Sequence, residues 1–299
     1  MICSTWRQQS AGMCDSASGE CGKDESPSVR IDRSVQLSVM PTRWHWCERE
    51  KSEYRRRPLL TRQDNRRRMK RVSVVGTVHE EKGLASISGL LAILERIRPE
   101  VIFLEIPAAA FDDHFNANRG DLESTAVARY CENHRVDLIP VDLPTPDADF
   151  FAKHQHLHKR MGRTSPDYRR LADWHSENVS ARGFAYLNSK DCSDLFSQLH
   201  EAMLAAIEED VDHRLLAEGY DLWIGTKELR ERAMMSNIEN HCRQASFGSA
   251  AFLVGAAHRQ SIIDLSRSEP RAASSTIQWD FAGFLEEPNV TVARHIEEL

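Results

Sequence analysis

Residues 72–142 carry the pattern that most restricts the fold: short apolar runs alternating with amphipathic and polar stretches. VSVV (72–75), VIFLEIP (101–107) and VDLIPVD (136–142) are the runs. Largely unbroken apolar character suits strands covered on both faces. Between the first two, GLASISGLLAILERIRP repeats Leu84, Ile87, Leu91, Leu94 and Ile97 at three- or four-residue spacing. That is an amphipathic helix stopping near Pro99. A second helix is expected around Glu123–His134. Strand–helix–strand–helix–strand order implies right-handed crossovers and a parallel sheet. The expected class is α/β, a mainly parallel central sheet flanked by helices.

The middle, about 147–245, reads as a helical insertion in that scheme. DLFSQLHEAMLAAIEEDVDHRLLAEG and TKELRERAMMSNIENHCRQA have helical character. WHSENVSARGFAYLNSKD (174–191) reads as an irregular lid or substrate wall. AAFLVG (250–255) returns as a strand, HRQSIIDLSRS follows as a short helix, and STIQWDF (275–281) is the last strand expected.

The first run continues into Gly76-Thr77-Val78-His79, and the late one into Gly255-Ala256-Ala257-His258. Glu105 interrupts the second strand near its end, and Asp142 closes the third. Four polar residues distant in sequence thus fall at carboxyl ends of strands, where open α/β sheets bind ligands. Gly76 and Gly255 give each strand a permissive exit and let backbone approach a ligand. Thr77 and the alanines leave room for the imidazoles. Gly76, Thr77, Asp142 and Gly255 are therefore expected to line the substrate. His79, Glu105 and His258 form an open two-histidine, one-carboxylate set of the kind that holds Zn²⁺, Mn²⁺ or Co²⁺. Such a metal would acidify water and polarise a carbonyl. Without one, the same groups are a general acid and base.

Residues 1–71 carry 16 Lys and Arg against 9 Asp and Glu, whereas residues 72–299 carry 23 against 36. The acidic body disfavours nucleic acid as a partner and suits a cation or small solute. Residues 1–70 lack apolar periodicity, so a largely disordered basic tail precedes a folded domain at 71–299. Within it YRRRPLLTRQDNRRRMKR is read as a solvated tail, RNA or an acidic surface being the contact it could make. No apolar run approaches about 18 residues, and the start has no signal-peptide core. A soluble, cytoplasmic protein is expected, with no membrane partner. The seven cysteines are odd in number and form no C-x-x-C, which points to free thiols. HQHLH puts His154 and His158 four apart on a helix, but no H-E-x-x-H accompanies them. P-loop, G-x-G-x-x-G and G-x-S-x-G patterns are absent.

GTVH, then LEIP, PVD, ELRERAMMSNI and VGAAH, in that order over about residues 72–265, resemble the TraB/PrgY family. That family includes the TIKI proteins and falls in a wider group with erythromycin esterase-like and ChaN-like proteins. The resemblance implies roles for His79, His258 and Glu105, and maps the family's Glu-Arg before Met onto Glu231 and Arg232. Where the family usually has aspartate next, this chain has Ala233. Arg232 would clamp a substrate carboxylate or stabilise an oxyanion. The implied activity is metal-dependent hydrolysis of a peptide. Sequestration of a peptide or small signal without turnover, which Ala233 favours, and ester hydrolysis are the alternatives.

Overall fold

The computed structural model describes residues 69–116, 120–268 and 276–285. The basic segment before residue 69 lies outside the described residues. Strands β1 (Lys70–Thr77), β2 (Val101–Pro107), β3 (Asp137–Asp142), β4 (Ser249–Gly255) and β5 (Ile277–Asp280) make one sheet in the order β3-β2-β4-β1-β5. Every pairing is parallel. The four runs read as strands are strands, and STIQWDF contributes only its middle.

Helices α1 (Ile87–Ile97), α2 (Phe111–Asn116) and α3 (Leu122–Asn133) lie between the early strands, and α8 (Ala256–Ser268) follows β4. The starts of α1 and α3 have a local cause. Ser86 accepts from the Gly89 N–H at 3.1 Å and Asp121 from the Ser124 N–H at 2.7 Å. Such caps satisfy donors that a helix leaves orphaned. α1 begins later than its leucine repeat suggested. Leu84 lies before it and is exposed, while Leu90, Ile93 and Leu94 form the buried stripe.

The insertion is four helices: α4 (Ala148–Thr164), α5 (Pro166–Leu187), α6 (Lys190–Glu208) and α7 (His213–Gln244). The stretch expected to be an irregular lid is therefore mainly helix. Besides the α5–α6 junction at Asn188 and Ser189, the helix breaks inside α5 at Gly183, at φ 54° and ψ −135°. A Cβ there would come within 2.5 Å of the Leu84 carbonyl oxygen, so only glycine admits the packing. The Leu84 N–H also donates to Ser180 O at 2.8 Å, and Lys82 bonds Ser176. α5 thus braces the loop that carries His79.

Val75, Ile102, Leu104, Ala251 and Leu253 face one core with α1, α3 and the end of α5. Val72, Val74, Phe103, Phe252 and Val254 face the other, against Met234, Met235 and Ile238 of α7 and Ile262 of α8. α4, α5, α6 and the first half of α7 share a third core around Leu157, Leu195 and Leu216. Side chains alternate along a strand, so each run must be apolar on both faces. α1 leads from β1 across to β2 on one face, whereas α8 leads from β4 across to β5 on the other. The neighbours β4 and β1 therefore send their chains in opposite directions. Their carboxyl ends form the crevice where such sheets take ligands.

No helix among the described residues is long and apolar enough to cross a membrane.

Candidate functional site

Four adjacent strands bring polar residues to that edge. Glu105 on β2 and Asp142 on β3 are both buried, with side chains 9% and 3% exposed. Between them lies Arg230 of α7. Its Nη2 donates to Glu105 Oε1 and to Asp142 Oδ2, each at 2.6 Å, and its Nε lies 3.1 Å from both Asp142 oxygens. The second Glu105 oxygen accepts the Gly255 N–H at 2.7 Å. A Cβ on Gly255 would sit 3.3 Å from that oxygen, so glycine here permits a close approach, to Glu105.

His258, in the first turn of α8, donates from Nδ1 to Glu231 Oε1 at 2.8 Å. Its Nε2 lies 3.3 Å from Glu105 Oε1. Lys227 reaches the same Glu231 oxygen at 2.6 Å, one turn earlier on α7. The result is a buried, mutually neutralising network. Burial alone would raise the Glu105 pKa. The charges of His258 and Arg230 and the His258 hydrogen bond outweigh it and hold the carboxyl well below its ordinary range. Burial likewise opposes the His258 cation, but Glu105 and Glu231 raise its pKa. Glu231 is lowered against the cost of burial, first by its hydrogen bond to His258.

His79 is the exposed member, with a third of its side chain open. Its Nδ1 lies 2.7 Å from Glu123 Oε2, and Thr77 donates to the other Glu123 oxygen. The backbone is held too, because the Leu122 N–H in the first turn of α3 donates to His79 O at 2.8 Å. One helix start thus grips both the ring and the main chain, and Nε2 has no partner among the described residues. Desolvation lowers the His79 pKa. The charge and hydrogen bond of Glu123, with the charges of Glu105 and Asp121, prevail and raise it to about 9. Glu105 is accordingly the carboxylate that feels both histidines.

The expected residues divide as follows. Glu105, Asp142, Glu231, Gly255 and His258 meet in one network. His79 joins through the charge of Glu105, with its ring held by Glu123. Thr77 is buried and serves Glu123. Gly76 faces away from this network: its N–H and C=O are both bonded to the Asn188 side chain, at 2.7 and 3.0 Å. It closes β1 against α5. Arg232 stands outside the site, 59% exposed and paired with Glu228 at 3.0 Å. The guanidinium in the site is that of Arg230. Arg230, Lys227 and Glu123 are the participants that sequence reasoning passed over. Glu123 carried a faint signal as an acid in the first turn of a capped helix, a position the helix dipole favours for its own sake.

The donor atoms do not fit a metal as they stand. Both nitrogens of His258 face carboxylates, which favours the imidazolium, a form without a lone pair to give. Both Glu105 oxygens are taken by Arg230 and Gly255. Among the described residues, no three His, Cys, Asp or Glu side chains are arranged to hold a metal ion. His154 and His158 share a face of α4 but pack against Trp223, with ring centroids 5.6 and 5.1 Å from it.

No protein-family model matches the chain, and no curated protein matches its sequence. Among solved structures, a histidine-to-asparagine mutant of the erythromycin esterase EreC, in its open conformation, aligns with a TM-score of 0.29. Identity is 11% over 70% of this chain and 69% of that one. A superposition that loose carries no argument about chemistry.

Proposed function

We propose that the chain is a hydrolase of the TraB/PrgY kind that cleaves a peptide or ester bond by acid–base chemistry, with His79 as the base. The observation that carries this reading is the His79 ring. One nitrogen is fixed by a carboxylate that is itself fixed by Thr77, and the other has no partner among the described residues, where the chain leaves the carboxyl end of β1 beside β4. An imidazole oriented this way can take a proton from water and return it to the leaving group. The water oxygen attacks the carbonyl, the proton passes to Nε2, and the same proton then goes to the departing amine or alcohol. The Nε2–H of His258, held loosely by Glu105, is the donor offered to the oxyanion. Arg230 fixes Glu105 and Asp142 in place, and together with His258 it keeps Glu105 ionised. Each of these roles is independent of a metal.

With a pKa near 9, roughly one His79 in a hundred is neutral at pH 7. Catalysis by the base therefore rises about tenfold per pH unit below pH 8 and levels near 9. The same pKa favours a second reading. At neutral pH an imidazolium faces the crevice and suits capture of an anionic peptide or small molecule without turnover.

One assay separates them. The full chain is incubated with a mixed peptide pool and a chromogenic ester, with and without chelator, alongside His79→Asn. Turnover that survives chelation, climbs toward pH 9 and disappears in His79→Asn supports the hydrolase. Binding that weakens above pH 9, with no product at any pH, favours capture. Turnover that needs Mn²⁺, Co²⁺ or Zn²⁺ contradicts the acid–base reading.

A further inference from the structure

Helix α7 presents one face to the site and leaves another uncovered over its first two-thirds. Arg214, Leu215, Glu218, Asp221, Leu222, Gly225, Glu228, Leu229 and Arg232 are all exposed. Leu215, Leu222 and Leu229 recur every seven residues at 47%, 37% and 59% exposure. Glu218, Gly225 and Arg232 recur at the same interval. Seven residues are nearly two turns, so each set forms a row along the helix. Gly225 lies at the centre of the second row. A Cβ there would meet nothing within 4 Å, so the described residues give no packing reason for it. Glycine in an exposed helix interior is destabilising relative to alanine.

We infer that this face is a homodimer interface, in which α7 of two copies cross antiparallel at Gly225. A two-fold axis through Gly225 puts each Glu218 opposite the second copy's Arg232, seven residues to either side. Leu222 falls beside the second copy's Leu229 along the adjacent row. The missing side chain lets the backbones approach where the helices cross. The row of acid, glycine and base is self-complementary in the antiparallel sense alone, because a parallel pair would set like charge on like. Arg232 then lies between its own Glu228 and the second copy's Glu218. All the site residues of one copy remain its own, so the chemistry does not depend on the pairing.

The test is sedimentation of the full chain over a concentration series. A small helix crossing predicts a dimer with a dissociation constant on the order of micromolar. Glu218→Arg and Arg232→Glu each weaken it by roughly tenfold or more, and the double variant recovers most of that loss. Gly225→Leu yields a monomer whose melting temperature is no lower than that of wild type, because leucine favours the helix while blocking the crossing. A chain that stays monomeric up to about a hundredfold above that range overturns the inference. So does a dimer indifferent to all of these substitutions.

Discussion

Arg230 and Arg232 stand two positions apart and have opposite surroundings, because an α-helix turns by about 200° over two residues. A motif fixes order along the chain. It leaves open which of two neighbouring arginines faces inward, and here that is Arg230. Arg230→Ala leaves Glu105 and Asp142 buried without their cation, and the expected loss is about 3–5 kcal/mol in denaturant unfolding. Arg232→Ala, on the surface, stays within about 0.5 kcal/mol. Gly255→Ala is predicted to act on the site more than on the fold. Its methyl presses on Glu105 Oε2 and shifts the carboxylate between the histidines, so turnover falls while the melting temperature moves by a few degrees at most. Glu105, Asp142 and the two histidines could be read from strand ends, whereas Glu231, on α7, came only from the resemblance. Glu123 was harder to find, because its partners Thr77 and His79 come from another part of the chain, and Lys227, although one turn from Glu231, looks like any exposed i,i+4 pair until the fold buries it.

At the scale of elements, apolar runs announced the strands and a leucine repeat the first helix. Tertiary packing decided the rest. The stretch 174–191 mixes glycine, aromatics and polar groups, yet α5 runs through most of it, with Gly183 taking the one conformation its contact with Leu84 demands. Gly183→Ala is expected to destabilise the chain by several kcal/mol, seen as a lowered denaturant midpoint, and to loosen the loop carrying His79. The histidines of α4 make a separate prediction. Burial lowers His154 to about 4 and His158 to about 3, the latter helped by the charge of His154. Their folded values lie below the ordinary 6.5, so the acid-unfolded chain binds protons that the folded one refuses. This stability is complete above about pH 6.5 and is lost as the pH falls toward 3. His158→Phe should flatten that loss in a melting series from pH 7 to 4. It spares the buried ring its protonation, although Tyr168 loses the His158 Nδ1 partner that lies 2.8 Å away.

At the scale of the molecule, the account rests on the order β3-β2-β4-β1-β5. A strand from late in the chain enters between the first two, and this sets His258 beside Glu105 and both beside the loop of His79. The alternation of runs implied a parallel sheet. The placement of β4 was beyond the sequence, since any parallel neighbour would have satisfied its apolar faces. The raised His79 pKa depends on that placement, because Glu105 and Glu123 reach it from different parts of the chain. Its sign sets one limit on stability: the His79–Glu123 pair stabilises the fold fully below about pH 6.5 and ceases to do so as the pH rises through 9. The most direct measurement is an NMR titration of the His79 ring, assigned by difference from His79→Asn, in wild type, Glu123→Gln and Glu105→Gln. The account predicts a midpoint near 9 that drops in both glutamine variants, further for Glu123→Gln. A midpoint near 6.5 that ignores Glu105 would contradict the claim that these strand ends share one site.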